Sequence, residues 1–169
     1  YIYKFISRDK IATGGAAANR TLLDHGTLYV ARFDADGTGR WLPLVHGQGP
    51  LNADHGFADQ GEVLIKARQA SDMLGATKMD RPEWGAVNPA NGEVYFALTN
   101  NSFIHRTPGT ADAANPRAYN DTDGKKSSGN PNGHIIRFRE AAASASATSF
   151  RWDIFVFGAE EDAPDRKST

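Results

Sequence analysis

Cysteine is missing from this 169-residue chain. Disulfides, thiolate metal ligands and a cysteine nucleophile are therefore excluded within it. Net charge is nearly missing too: 19 Lys and Arg stand against 20 Asp and Glu, leaving −1. A balance that even builds no large field for nucleic acid or an anionic membrane surface. No apolar run approaches the ~20 residues that a bilayer-spanning helix needs. No basic, apolar leader is visible, and the chain opens on Tyr1 inside a strand-like pattern. The expected reading is a piece of a longer protein. Several chemical fingerprints are also lacking. There is no G-x-S-x-G elbow, no Walker loop and no H-E-x-x-H pair. Gly14-Gly15 and Gly37-Thr38-Gly39 lack the strand-to-helix setting of a dinucleotide fold, so no cofactor-binding residue is assigned.

What is present is an ordinary core. Apolar residues make up 40% of the chain, which places it among globular domains. Alternating patterns predict strands over 1–7, 27–33, 40–45, 84–87, 93–99, 134–139 and 150–157. Asp34-Ala35-Asp36-Gly37-Thr38-Gly39 and Asn88-Pro89-Ala90-Asn91-Gly92 are the turns of two hairpins. One helix is predicted over 59–74: Asp59 caps it, Glu62 completes a capping box, and Val63, Ala67, Ala70 and Leu74 share a face. Gly75 suits the position after its end. Residues 100–132 read as a long polar loop, a candidate lid or exchange arm, and 141–149 as an Ala/Ser connector. The aromatics Tyr95, Phe96, Trp152, Phe155 and Phe157 read mainly as core. The fold class is all-β, mainly antiparallel, with one inserted helix. Residues 1–58 form a partial blade with loops, 59–75 the helix, 76–158 a blade-like run of four strands, and 159–169 a charged tail. The strand count fits a partial β-propeller and a sandwich about equally.

Chemistry concentrates in Asp80-Arg81-Pro82-Glu83-Trp84, where helix gives way to strand. Proline pushes the residue before it toward an extended backbone. Positions two apart in an extended run face the same side. Arg81 and Glu83 are therefore expected to project together, with Trp84 turned the other way into packing. A carboxylate suits hard cations such as Ca²⁺, Mg²⁺ or Fe³⁺, and a guanidinium offers a fork to phosphate oxygens. A plain surface ion pair is the simpler explanation of a bare R-P-E. Asp80 reads as a loop acid capping a local turn. Asp34-Ala35-Asp36-Gly37 and Asp121-Thr122-Asp123-Gly124 resemble calcium-loop fragments without the closing Glu, and read as turns. His25, His46, His55, His105 and His134 show no ligand spacing. His134 follows Asn132-Gly133 at a strand start and reads as structural.

Several segments together resemble the PhoX-type alkaline phosphatases, a bacterial family of secreted six-bladed propellers. They are YIYKF at 1–5, NRTLLDHGTLYVARFDADGTGRWLPL at 19–44, GATKMDRPEW at 75–84, VNPANGEVYFALTNN at 87–101, Asn115-Pro116-Arg117, Asn132-Gly133-His134-Ile135 and WDIFVF at 152–157. The resemblance implies hydrolysis of phosphate monoesters on a cluster of Ca²⁺ and Fe³⁺ ions at one end of a propeller channel. It implies phosphate binding by Arg81 and metal ligation by Glu83. It also implies a periplasmic or extracellular setting, a phosphate-ester substrate, and no nucleic acid or membrane partner. The family's cysteine iron ligand and its other acidic ligands have no counterpart here. The piece alone is therefore expected to bind the cluster incompletely or not at all, to be inactive, and to self-associate through exposed blade edges. Two alternatives stay open: a calcium-stabilised binding propeller without catalysis, and a calcium-dependent lactonase-like hydrolase.

Overall fold

A computed structural model describes residues 1–102, 111–120 and 128–159. The chain divides into two compact units, Tyr1–Arg32 with Arg40–Ala76, and Phe33–Gly39 with Thr77–Thr169.

In the first unit, strand β1 (Tyr3–Ser7) pairs antiparallel with β2 (Gly26–Phe33), in register Tyr3 to Val30 through Ser7 to Gly26. Strand β3 (Thr38–Pro43) follows in the order β1-β2-β3. A short helix α1 (Gly15–Asn19) lies between β1 and β2, where no helix was predicted. Its small residues carry no hydrophobic period, so sequence gave it no signal.

The predicted single helix over 59–74 is two, α2 (Gln60–Ile65) and α3 (Ala67–Met73). They are broken at Lys66, whose backbone leaves the helical region (φ −95°, ψ 30°). The capping box forms with its return bond one residue earlier than expected. The Asp59 carboxylate accepts from the Glu62 N–H at 2.9 Å, and Glu62 reaches back to accept from the Ala58 N–H at 2.9 Å. The apolar face also survives the break, because i, i+4 and i, i+7 positions stay on one side. Val63 and Ala70 join Val30, Leu44, Leu51, Phe57 and Ala76 in one buried cluster, with Ala67 and Leu74 packed against it. Burying side chains of the Leu, Val and Phe type contributes roughly 1.5–3 kcal/mol each, so this cluster is the main support of the unit.

The second unit contains a four-stranded antiparallel meander. Strands β4 (Pro82–Val87) and β5 (Val94–Leu98) form the second predicted hairpin. Its turn is closed by the Asn88 N–H on the Glu93 carbonyl at 2.8 Å, and by the Asn91 side chain accepting from the Glu93 N–H at 3.0 Å. The segment expected to be a long loop instead holds three short strands, β6 (Asn101–Ser102), β7 (Tyr119–Asn120) and β8 (Ser128–Asn130), in the order β6-β8-β7. Strands this short and this polar leave no alternation to read. Strands β9 (His134–Glu140) and β10 (Ser149–Phe157) complete the larger sheet, in the order β10-β9-β5-β4. A one-turn 3₁₀ segment, Ala141–Ala143, connects them.

An aromatic cluster fills this unit. Phe33 meets Phe150 and Trp152 edge-on at 5.1 and 5.2 Å, and Phe96 stacks on Phe138 at 6.2 Å. The half-buried indole N–H of Trp152 donates to the carbonyls of Asp34 and Thr38. Phe155 departs from the core expectation. The register of β10 shifts between Ile154 and Val156, and Phe155 is 52% exposed. A bulge breaks strict alternation and re-aims the extra residue.

The fold class expected from sequence holds: mainly antiparallel β, with a four-stranded meander in propeller-blade order and a three-stranded partial one. Among the described residues it carries three short α-helices rather than one.

Candidate functional site

The R-P-E segment lies at the start of β4, and its backbone is not the extended run that proline was expected to impose. Arg81 sits in the left-handed region at φ 39°. Its N–H donates to the Met79 carbonyl at 2.9 Å, and its own carbonyl accepts from the Thr99 N–H at 3.2 Å. Those two bonds outweigh the local preference of a residue before proline. The register of β4 against β5 then shifts between Pro82 and Trp84, so Glu83 occupies a bulge.

Two irregularities in sequence thus bring the side chains together. The Arg81 guanidinium meets the Glu83 carboxylate at 3.1 Å. It also donates to the Asn100 carbonyl at 3.1 Å, while Glu83 accepts from the Thr99 hydroxyl at 2.9 Å. Both side chains are about half exposed, at 51% and 49%. An exposed pair of this kind adds little to stability, commonly 0.2–1 kcal/mol by the rough central tendency for such pairs. It leaves a guanidinium and a carboxylate open to a ligand. Trp84 does not turn into packing: it is 76% exposed. The bulge at Glu83 takes it out of the alternation on which that expectation rested.

The residue directly before the pair is the one that sequence undervalued. Asp80 is 2% exposed, so it is no loop acid on a local turn. Its carboxylate accepts from the side-chain amides of Asn101 at 2.7 Å and Asn130 at 3.1 Å. Asn130 also donates to Nδ1 of buried His134 at 2.9 Å. The Nε2–H of His134 in turn donates to the Ala114 carbonyl at 2.7 Å. This network assigns the proton to Nε2, since Nδ1 is facing a donor. His134 is structural, as expected. Asn115, also buried, holds the same loop by its backbone. It accepts from the Asp80 N–H and donates to the Lys78 carbonyl, both at 2.8 Å. Arg117 packs its guanidinium over the Phe157 ring at 4.2 Å and donates to the Gly158 carbonyl. The amide oxygens of Asn101 and Asn130 are buried without a partner.

The remaining candidates fall away from chemistry. Asp34–Gly37 is a hairpin turn, closed by the Gly37 N–H on the Asp34 carbonyl at 3.1 Å. Asp36 there accepts from the N–H and hydroxyl of Thr38, and those bonds hold its carboxyl below the ordinary range. His46 contacts the Phe57 carbonyl and His55 the Asn52 side chain. His105, Asp121–Gly124 and residues 160–169 lie outside the described residues. A groove of about 610 Å³ along β10 is lined by residues that include Gly37, Pro116 and Trp152, and Arg81 and Glu83 are not among them. Among the described residues, no three His, Asp or Glu groups converge as a metal site. No helix there is long and apolar enough to cross a membrane.

Residues 1–169 match the family model described as alkaline phosphatase PhoX. A solved structure described as Pseudomonas fluorescens PhoX in complex with vanadate, a transition state analogue, is similar at a TM-score of 0.71 and 45% sequence identity. The match covers 91% of this chain and 26% of that one, so this chain spans about a quarter of that protein's length. No curated protein matches. Matched along its full length by the family model, this chain belongs to the PhoX alkaline phosphatase family.

Proposed function

We propose that the protein carrying this chain hydrolyses phosphate monoesters, and that Arg81 grips the non-bridging oxygens of the phosphoryl group. The observation that carries this reading is a half-exposed guanidinium held beside a carboxylate on a left-handed backbone. Strained backbone of that kind concentrates at sites where geometry matters more than stability. A planar fork of donors matches phosphate oxygens better than a point charge does. Vanadate, which the P. fluorescens structure holds as a transition state analogue, is an oxyanion of the kind such a fork recognises. Charge on the equatorial oxygens grows as a phosphoryl group transfers, so a fixed cation there stabilises the transition state.

Glu83 is proposed as one carboxylate ligand to a metal. As a hard oxygen donor it suits Ca²⁺ or Fe³⁺. The described residues do not by themselves fit a metal cluster, because no group of three ligands converges. The other ligands are therefore proposed to lie beyond the described residues, and no step is routed through a metal here. On the same grounds the isolated chain is inactive. Its setting is proposed to be periplasmic or extracellular, following the family resemblance.

The test uses the full-length protein. Arg81→Ala is expected to lower kcat/KM for p-nitrophenyl phosphate about a hundredfold or more, the scale of losing one charge-stabilising donor. Glu83→Gln is expected to lower both hydrolysis and the metal content found by elemental analysis. Hydrolysis left unchanged by both substitutions overturns the reading.

A further inference from the structure

We infer that Asp80 is a positioning residue for Arg81: its buried carboxylate fixes the backbone on which the phosphate-gripping guanidinium stands. This rests on the functional reading above.

Three observations converge. The first is where the carboxylate is held. Its two oxygens are taken by Asn101 and Asn130, which face each other as partners across β6 and β8. One acid thus straddles two strands, and the donors come from 21 and 50 residues away in sequence. The second is the clamp on the main chain. Asn115 holds the Asp80 N–H and the Lys78 carbonyl with one side chain, much as a neighbouring strand would. Side chain and backbone of Asp80 are both fixed. The third is the consequence one residue on. Arg81 is held at φ 39° and cannot relax without moving Asp80. A left-handed conformation at a residue with a Cβ persists only where its surroundings over-determine it. The Met79 and Thr99 backbone bonds act on Arg81 directly, and the Asp80 network fixes the segment they act on, while the half-exposed Arg81–Glu83 pair adds little.

His134 supports the same device. Its Nδ1 takes the second N–H of Asn130, which orients that amide toward Asp80. The His134 ring is in turn fixed on the Ala114 carbonyl, next to Asn115 in sequence. Displacing a phosphate ligand by a fraction of a bond length weakens its grip while leaving the residue present. Loss of position should therefore forfeit part of what loss of the group forfeits.

The experiment is a double-mutant cycle in the full-length protein. Asp80→Asn keeps shape but replaces one of the two acceptor oxygens with an amino group, which faces one of the amide donors with another donor. It is expected to raise KM and the Ki for inorganic phosphate about tenfold or more, the scale of a misplaced positioning group. Melting temperature and metal content are read alongside, to separate position from folding. Introduced on top of Arg81→Ala, Asp80→Asn is expected to cost less than about twofold further, because coupled residues are not additive. A crystal structure of the Asp80→Asn protein is expected to show Arg81 out of the left-handed region. Should that variant fail to accumulate, Asn101→Ala removes one of the two donors and must show the same non-additivity. Full additivity with Arg81→Ala in either variant overturns the inference, as does an unchanged Ki. If Arg81→Ala alone leaves hydrolysis intact, the functional reading fails and this inference falls with it.

Discussion

Arg81 keeps a left-handed backbone although it has a Cβ and a proline follows it. For an L-residue that conformation costs roughly 1–2 kcal/mol, and glycine escapes it. Two substitutions that both remove the guanidinium therefore separate strain from chemistry. Arg81→Gly is expected to be more stable than Arg81→Ala by about 1 kcal/mol in urea titration, while both lose phosphate hydrolysis equally. Equal stability would show that the backbone is not strained. This part of the site was legible only in outline. The pairing of Arg81 with Glu83 could be anticipated from residue types two apart. The reason given by sequence, an extended run imposed by Pro82, is not the one found. A local bond from the Arg81 N–H to the Met79 carbonyl, a tertiary one from the Thr99 N–H and a bulge at Glu83 produce the pairing instead. Asp80 was illegible for a plainer reason. Its partners Asn101 and Asn130 arrive from distant strands, and nothing in a local window marks a carboxylate as buried.

The elements divide along similar lines. Both hairpins were readable because their turns carry Asp, Asn and Gly at positions with local hydrogen-bonding roles. The α2 start was readable from Asp59 and Glu62. The break at Lys66 was not, since the apolar face runs through it without interruption. Strands β6 to β8 were missed because strands of two or three residues, mostly Asn, Ser and Gly, have no period. Strand β9 shows how a single position sets an element's place. Gly133, just before His134, has φ +72°, and a Cβ there would lie 2.3 Å from the Leu98 carbonyl oxygen. Gly133→Ala is expected to lose roughly 2–4 kcal/mol, combining left-handed strain with backbone overlap. Gly75, at φ +69° with nothing near a built Cβ, provides the comparison. Gly75→Ala is expected to lose only about 1 kcal/mol in the same denaturant series. Similar losses in the two would remove the overlap argument.

At the scale of the whole molecule, the sheet of the second unit ends on β4, an edge strand with Trp84 and Val87 on its exposed surface. Beyond Pro82 and Glu83 the rest of β4 carries no charge, and an exposed edge of that kind invites pairing with another chain. The isolated 169-residue chain is expected to self-associate in a sedimentation-velocity concentration series. Trp84→Lys is expected to shift it toward monomer, and an unshifted distribution would place the contact elsewhere. The Asp80 network has a different reach. Its members are spread from residue 78 to residue 134, in five separate stretches of the gene. A recombination breakpoint falling among them would graft the R-P-E motif from one parent onto an Asn–His frame from another. Chimeras crossed there should express a motif that looks intact in the alignment and grips nothing. The heritable unit of this site is thus the whole interval, and directed evolution by gene shuffling should treat it as one block.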